Sequence, residues 1–246
     1  MASTGIPQLN VPVFAGQGSA AANTIQTRQQ ALQDATSPSG SILLSACHEA
    51  FHAELSSLSP TELTQANIDI ADFKSKVSLL SIPDRRYLHN PIISGPTLFL
   101  IQSLRYIAFI QTSGVSADSL TPFSDVLKGN LERGMGVLGF SSGILPACVV
   151  GTSLSAVTYI SRAVEAYRLA IWIGVRTQIY RTVTLEASSA GKNSTNLPWS
   201  LVFFGMNKQS AEAAITVFSE VISVPYFGLT CFCFITYVYF CFLQGR

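Results

Sequence analysis

The chain has 246 residues, of which 48% are hydrophobic and 12% charged, with a formal net charge of +1. This length and composition support one large or two small globular domains with a proper core. The near-neutral charge and the scattered basic residues exclude the electrostatic footprint of a nucleic-acid-binding protein.

The cysteines indicate a reducing environment. Cys47, Cys148, Cys231, Cys233 and Cys241 form no C-x-x-C pair, and the first thirty residues lack the basic start and apolar block of a signal peptide. We therefore expect free thiols and a cytoplasmic protein. Cys148 is predicted to be a buried structural thiol.

The N-terminal pattern predicts a strand, a loop and a helix. Val11 to Phe14 is a short apolar strand, and it runs into the glycine-flanked loop Ala15 to Ser19. Ala20 to Ala35 has no interior Pro or Gly and suits a helix, which Ser37 to Gly40 is expected to end.

Further helices are predicted along the chain. Ile42 to Leu58 carries an apolar stripe at helical spacing, and Ser59 to Glu62 has the signature of a helix start. Asn90 to Gln111 is apolar at nearly every turn, as in a buried core helix. Ser155 to Thr184 is mostly helical, and the polar segment Glu186 to Asn196 is predicted to be a loop.

Two more elements are predicted near the C-terminus. Trp199 to Met206 is predicted to form a strand, and Lys208 to Glu220 a helix. Strands that alternate with helices indicate an α/β fold.

The segment Gly139-Phe140-Ser141-Ser142-Gly143 fits G-x-S-x-G, the pattern of a nucleophile on a sharp strand-to-helix turn. Glycines on either side permit the tight turn because a Cβ at those positions would clash. Met135 to Leu138 is predicted to form a short buried strand before the turn, and an apolar helix follows it. The pattern predicts Ser141 as the nucleophile and the Ser142 N–H as an oxyanion donor.

A second motif, His48-Glu49-x-x-His52, would place two histidines on one helix face, where they could bind zinc with Glu49 as the base. The apolar neighbours Phe51 and Leu55 and the lack of an obvious third ligand favour a solvated helix face instead. We therefore predict no metal site and keep a zinc peptidase as an alternative function.

Four stretches together resemble the starter-unit acyltransferase domain of fungal non-reducing polyketide synthases of basidiomycete type, a relative of the malonyl transferases. They are VPVFAGQGS (Val11 to Ser19), HNPIISGPTLFLIQSLRY (His89 to Tyr106), GVLGFSSGILPA (Gly136 to Ala147), and AYRLAIWIGVRTQ with LPWSLVFFGM (Ala166 to Gln178 and Leu197 to Met206). The resemblance covers residues 9 to about 222, in the order of the family.

The resemblance implies roles for individual residues. Ser141 matches the acylated nucleophile, which is a cysteine in many members. Gln17 matches the residue whose backbone N–H is the second oxyanion donor. Arg176 matches the arginine that holds the free carboxylate of malonyl substrates, a role that a simple acyl starter would not use.

The resemblance also implies the reaction and the partners. A starter acyl group passes from acyl-CoA or an acyl carrier protein, through the serine, to the phosphopantetheine thiol of a carrier domain, with no bound cofactor. The family's histidine base follows the ferredoxin-like insert, and none of His48, His52 and His89 matches it. The chain is therefore expected to be cut short, and a non-catalytic fragment is an alternative.

The implied architecture is a hydrolase-like acyltransferase subdomain with the start of a ferredoxin-like one, and the C-terminal part of the fold missing. The expected boundaries are 1–196 for the large subdomain, 197–223 for the partial small one and 224–246 for an apolar tail. From Val221 to Gly245 no residue is charged. Three interpretations of this tail stay open: a membrane anchor, a translated intron or frame-shifted sequence, or a pair of strands. Contact with a membrane is expected only through this tail.

Overall fold

The structure is a computed structural model that describes residues 11–16, 24–113 and 136–189. Its strands are β1 (Val13–Phe14) and β2 (Leu138–Gly139). Its α-helices are α1 (Ile25–Asp34), α2 (Pro38–Ser56), α3 (Pro60–Ala66), α4 (Ser78–Ser81), α5 (Pro91–Ser113), α6 (Ile144–Thr152) and α7 (Ala156–Ser189). Three 3₁₀ helices cover Ile70–Phe73, Arg85–His89 and Ser141–Gly143.

β1 and β2 form a parallel pair in which Val13 lies opposite Leu138 and Phe14 opposite Gly139. Parallel strands need a long crossover, and here the helices α1 to α5 lie between them in sequence. The described part is mostly helical with this small parallel sheet, which agrees with the predicted α/β class. A strand is present before the turn, as Leu138–Gly139, but the prediction that it is buried was wrong, because Leu138 is 52% exposed. Met135, where the predicted strand began, lies outside the described residues.

Helix α5 forms the centre of the core. Most of its apolar side chains are buried, with Phe109 as an exposed exception, and it packs against α1, α2, α4 and α6. Tyr106 reaches the sheet, with its ring centroid 5.9 Å from that of Phe14. The predicted core helix is thus confirmed, and its contact through Tyr106 helps to position β1.

Local capping explains where the helices begin. Ser37 accepts a hydrogen bond from the Gly40 N–H, and Pro38 opens α2. Ser59 and Glu62 form a capping box at the start of α3, as the sequence predicted. The prediction for Ser37 to Gly40 was wrong, because this segment starts α2 and α1 has already ended at Asp34.

The long helix α7 lies antiparallel to α5. The Tyr159 hydroxyl donates to the Ser103 carbonyl, and a Cβ at Gly174 would lie 2.5 Å from the Pro91 carbonyl oxygen. The predicted loop from Glu186 was wrong in its first four residues, since α7 continues through Ser189. The predicted strand and helix between residues 199 and 220 lie outside the described residues.

The chain divides into two compact units, residues 1–178 and residues 179–246. The described elements belong to the first unit, apart from the last turns of α7, which are the described part of the second. The boundaries predicted at residues 196 and 223 lie outside the described residues and stay predictions, as does the tail 224–246.

One described helix, Pro91–Gln111, is long and apolar enough to cross a membrane. However, 67% of its most apolar stretch is buried inside the protein, which is the pattern of a core helix. Its length and composition are therefore weak evidence for a membrane span.

The buried side chain of Asn90 links α3 to α5 by two hydrogen bonds. It donates to the Ala66 carbonyl at 2.8 Å and accepts from the Ile92 N–H at 2.9 Å. Asn90→Ala leaves both backbone groups unpaired, so we expect the free energy of unfolding to fall by about 2 kcal/mol. Urea denaturation measures the loss, and Gln30→Ala, at an exposed site on α1, is expected to change stability by less than about 0.5 kcal/mol.

Candidate active site

Ser141 lies at a strained turn between β2 and α6. The chain leaves the strand at Phe140, whose N–H donates to the Phe14 carbonyl at 2.9 Å. Ser141 then adopts a φ of 54°, in the left-handed region that serine rarely occupies, and its side chain is exposed. Such strain is typical of a nucleophile that a strand-to-helix turn raises above a sheet.

Gly139 and Gly143, the two glycines of the motif, lie where other backbone atoms leave no room for a Cβ. A Cβ at Gly143 would lie 2.2 Å from the carbonyl oxygen of Phe14 on β1. A Cβ at Gly139 would lie 2.4 Å from the Gly143 carbonyl oxygen. The expected steric reason for G-x-S-x-G is confirmed, since no side chain fits at either position.

The early glycine-rich loop passes directly beside Ser141. A Cβ at Gly16 would lie 2.7 Å from the Ser141 Cβ and 3.3 Å from its Oγ. The structure therefore brings together two motifs that lie more than a hundred residues apart in the sequence. Gln17, the predicted second oxyanion donor, lies outside the described residues and stays a prediction.

The Ser142 N–H points to no acceptor among the described residues, because it opens a 3₁₀ turn that runs into α6. The first turns of a helix carry partial positive charge. This amide can therefore donate to an oxyanion formed next to it. The Ser142 hydroxyl is buried and has no hydrogen-bond partner within the same described part of the chain.

Gln102 was not predicted as a site residue. From α5 it donates through Nε2 to the Ala15 carbonyl at 2.7 Å, while its Oε1 is buried and unpaired in the described structure. This bond fixes the peptide that joins Ala15 to Gly16, next to the Ser141 side chain. The sequence neighbours of Gln102 gave no signal of this bond, because Ala15 lies 87 residues away.

Arg176 lies on an exposed face of α7, with its guanidinium 5.6 Å from the Trp172 ring centroid. The pKa of Glu62 is lowered first by hydrogen bonds from Ser59, and the nearby charge of Arg176 lowers it further. The described contacts of Arg176 are with these groups and not with the turn at Ser141. Its predicted role in substrate binding stays a prediction.

None of the three histidines hydrogen-bonds to Ser141. Through Nε2, His48 and His52 both lie 2.8 Å from the Phe73 carbonyl oxygen, and they are half-buried instead of forming the solvated helix face that was expected. His89 is exposed at the end of a 3₁₀ helix. The described structure therefore supplies Ser141 with no histidine base from these positions.

The prediction for Cys148 was wrong, because its thiol is exposed. Cys148 lies on α6, seven residues after Ser141 in the chain. Cys47, by contrast, is buried, and burial raises the pKa of its thiol. Both are free thiols, as expected, and Cys148 is the more accessible one.

The described residues contain no group of three or more His, Cys, Asp or Glu side chains that could hold a metal ion. Catalytic zinc usually has three protein ligands. The described part of the chain therefore does not provide the side-chain set that a zinc peptidase at His48 and His52 would use.

The chain matches the family described as starter unit:ACP transacylase in aflatoxin biosynthesis over residues 13–227. Orsellinic acid synthases of Armillaria ostoyae and Armillaria mellea are 48% and 46% identical over 213 and 215 residues, which are 86% and 87% of this chain. An orsellinic acid synthase of Beauveria bassiana is 31% identical over 205 residues, 82% of this chain.

The matched region covers 9% of each Armillaria relative and 8% of the Beauveria one, so the chain spans about a tenth of the length of these relatives. No solved structure gives a significant match. The family match covers most of the chain and includes the whole turn at Ser141. The chain belongs to the starter unit:ACP transacylase family of fungal polyketide synthases.

Proposed function

We propose that Ser141 carries a starter acyl group from a CoA or carrier-protein thioester to the phosphopantetheine thiol of a carrier domain. The Ser141 Oγ attacks the thioester carbonyl carbon, the carbon–sulfur bond breaks and the thiol leaves with the serine proton. The carrier thiol then attacks the ester, and its proton returns to Ser141. The observation that carries the proposal is the exposed serine at φ 54° beside a Ser142 N–H that has no acceptor among the residues the structure describes.

Two backbone amides are proposed to stabilise the tetrahedral intermediate. The Ser142 N–H is one donor, and the Gln17 N–H is the other, since Gly16 already lies against Ser141. Gln102 is proposed as a positioning residue, because its bond to Ala15 holds the peptide that leads into this loop. No bound cofactor or metal takes part.

The base is proposed to come from polypeptide outside this sequence. A serine hydroxyl is a weak nucleophile without a base, and general-base help typically contributes about 10²- to 10⁴-fold. Of the three histidines of this sequence, His48 and His52 contact the Phe73 carbonyl oxygen, and His89 is exposed at the end of a 3₁₀ helix. We therefore expect slow acylation of the isolated chain. A non-catalytic fragment is the second candidate, favoured by the same observation.

The finer architecture and the setting follow as proposals. The sheet and helices up to residue 196 would form a hydrolase-like acyltransferase subdomain, and residues 197–223 the beginning of a ferredoxin-like one. Arg176, stacked on Trp172, would bind a charged part of the substrate. The carrier domain and acyl-CoA are the proposed partners, in the cytoplasm.

The test is to incubate the chain with acetyl-CoA and to locate the acyl group by peptide mass spectrometry. The proposal expects the group on Ser141 and its transfer to a carrier protein that bears phosphopantetheine. The exposed Cys148 is a competing nucleophile, so the experiment is repeated with Cys148→Ser. A label that disappears with Cys148→Ser, or no label at all, would support the non-catalytic fragment.

Gln102→Met tests the positioning role. Methionine keeps the length of the side chain but cannot donate to Ala15, so we expect acylation of Ser141 to slow by about ten- to a hundredfold. The midpoint of thermal unfolding should change little, and the KM for acetyl-CoA should stay the same. Gln30→Met on α1 is the matched control, with an unchanged rate. A lower melting temperature with an unchanged acylation rate would mean that Gln102 is only structural.

A further inference from the structure

His48 and His52 form a convergent pair on α2 that the proposed acyl transfer does not use. They are four residues apart, so their rings project from the same face of the helix. Their Nε2 atoms lie 3.2 Å apart, and each lies 2.8 Å from the carbonyl oxygen of Phe73. Three potential ligand atoms from two separate segments thus meet at one point.

The proton positions at this point follow from elementary chemistry. The Phe73 carbonyl oxygen only accepts hydrogen bonds, so each nearby Nε2 carries a hydrogen when no ion is present. The contact between the two Nε2 atoms is then not a hydrogen bond. The described hydrogen bonds engage only Nε2 of each ring. The proton can therefore move to Nδ1, which frees the Nε2 lone pair without charging the imidazole.

We propose that His48 and His52 bind a divalent transition-metal ion, of which Zn²⁺ is the probe. The two Nε2 atoms would be ligands, the Phe73 carbonyl oxygen a third, and water would complete the coordination. Two zinc–nitrogen bonds of about 2.0–2.1 Å at a tetrahedral angle place the nitrogens about 3.4 Å apart. The observed 3.2 Å between the nitrogens needs little movement, whereas the Phe73 oxygen, now 2.8 Å from each nitrogen, must move away to about the same 3.4 Å. Imidazole nitrogen is a preferred ligand for zinc, copper and nickel.

A metal ion at this site would link α2 to the Ile70–Phe73 turn. Phe73 ends the Ile70–Phe73 turn, and its ring packs 5.1 Å from both Phe51 on α2 and Tyr87. An ion held by α2 and by the Phe73 carbonyl would tie this turn to the helix. The role that follows is stabilisation of the helical layer, because the described residues offer no third side-chain ligand for a catalytic zinc. This inference does not depend on acyl transfer.

The test is titration of the purified 246-residue chain with ZnCl₂ by calorimetry, with thermal unfolding in parallel and Co²⁺ absorption as a report on coordination. His48→Gln and His52→Gln keep an amide donor for Phe73 but lose the ligand nitrogen. We expect each to weaken zinc binding by at least about tenfold and to remove the zinc-dependent rise in melting temperature.

His89→Gln is the matched control, because it changes the only other histidine of the chain, which is exposed. Its zinc affinity should equal that of the unsubstituted chain. Zinc binding that survives in both His48→Gln and His52→Gln would assign the ion to cysteine thiols and overturn the proposal. The absence of zinc-dependent heat or absorption in the unsubstituted chain would overturn it as well.

Discussion

In the Cys148→Ser background, Ser141→Ala is expected to abolish acylation of the chain by acetyl-CoA, to the level of the uncatalysed reaction. The substitution removes the exposed hydroxyl of the turn, since the neighbouring Ser142 hydroxyl is buried, while the Ser142 N–H and Gly16 stay in place. Loss of a nucleophile typically costs several orders of magnitude in rate. Intact-mass spectrometry over time measures the acylated fraction, and circular dichroism checks that the fold persists.

Ser141→Cys tests how far the nucleophile depends on a base. A thiol is a few per cent ionised at neutral pH and intrinsically very nucleophilic, so it depends less on a base than a hydroxyl does. Because none of the chain's three histidines bonds Ser141, we expect Ser141→Cys to be acylated faster than the unsubstituted chain. An equal rate in Ser141→Ala and the unsubstituted chain would contradict the nucleophile assignment. A slower Ser141→Cys would mean that a base already assists the serine.

The turn at Ser141 could be predicted from the sequence because its causes are local. Glycines two residues on either side of Ser141 leave room for the chain to bend, and the flanking residues have the patterns of a strand and a helix. The structure shows this local reason at Gly139, whereas Gly143 is crowded by Phe14 and Ala15, which lie far from it in the sequence. The helical stripe of α2 and the capping box at Ser59 are local in the same sense.

What the sequence did not predict depends on tertiary contacts. Gln102 and Ala15 are 87 residues apart, and no pattern in either segment signals that an amide from α5 bonds this carbonyl. The Phe73 carbonyl beside the histidine pair has no side-chain signature, because every residue carries a backbone oxygen. Cys148 was misplaced for a different reason. An apolar helix predicts burial overall, and only its packing against other elements decides which side faces solvent.

The strained backbone at Ser141 and the crowded glycine at position 143 both depend on how α6 packs against β1. A serine at φ 54° costs free energy of order 1–3 kcal/mol, which the packing of α6 against β1 must offset. That packing is possible only because Gly143 lets its backbone lie against the Phe14 and Ala15 carbonyls. Stability and the position of the nucleophile therefore depend on the same contact.

Gly143→Ala is accordingly expected to have the largest effect on stability. Its Cβ would lie 2.2 Å from the Phe14 carbonyl oxygen and 2.9 Å from that of Ala15, and neither backbone atom can rotate away. We expect the free energy of unfolding to fall by about 3 kcal/mol or more. Any folded fraction should also acylate Ser141 about a hundredfold more slowly, because α6 must shift relative to β1. Urea denaturation and acetyl-CoA labelling measure the two effects.

Two other glycines provide a graded control for this steric argument. A Cβ at Gly136 would meet none of the described atoms within 4 Å, so Gly136→Ala should change stability by less than about 0.5 kcal/mol. A Cβ at Gly151 would lie 3.3 Å from the movable Val137 side chain, and alanine favours the helix by up to about 1 kcal/mol, so Gly151→Ala should be nearly neutral. If Gly143→Ala unfolded at the same urea concentration as Gly136→Ala, α6 would not be packed against β1, and the turn would not hold Ser141 beside Gly16.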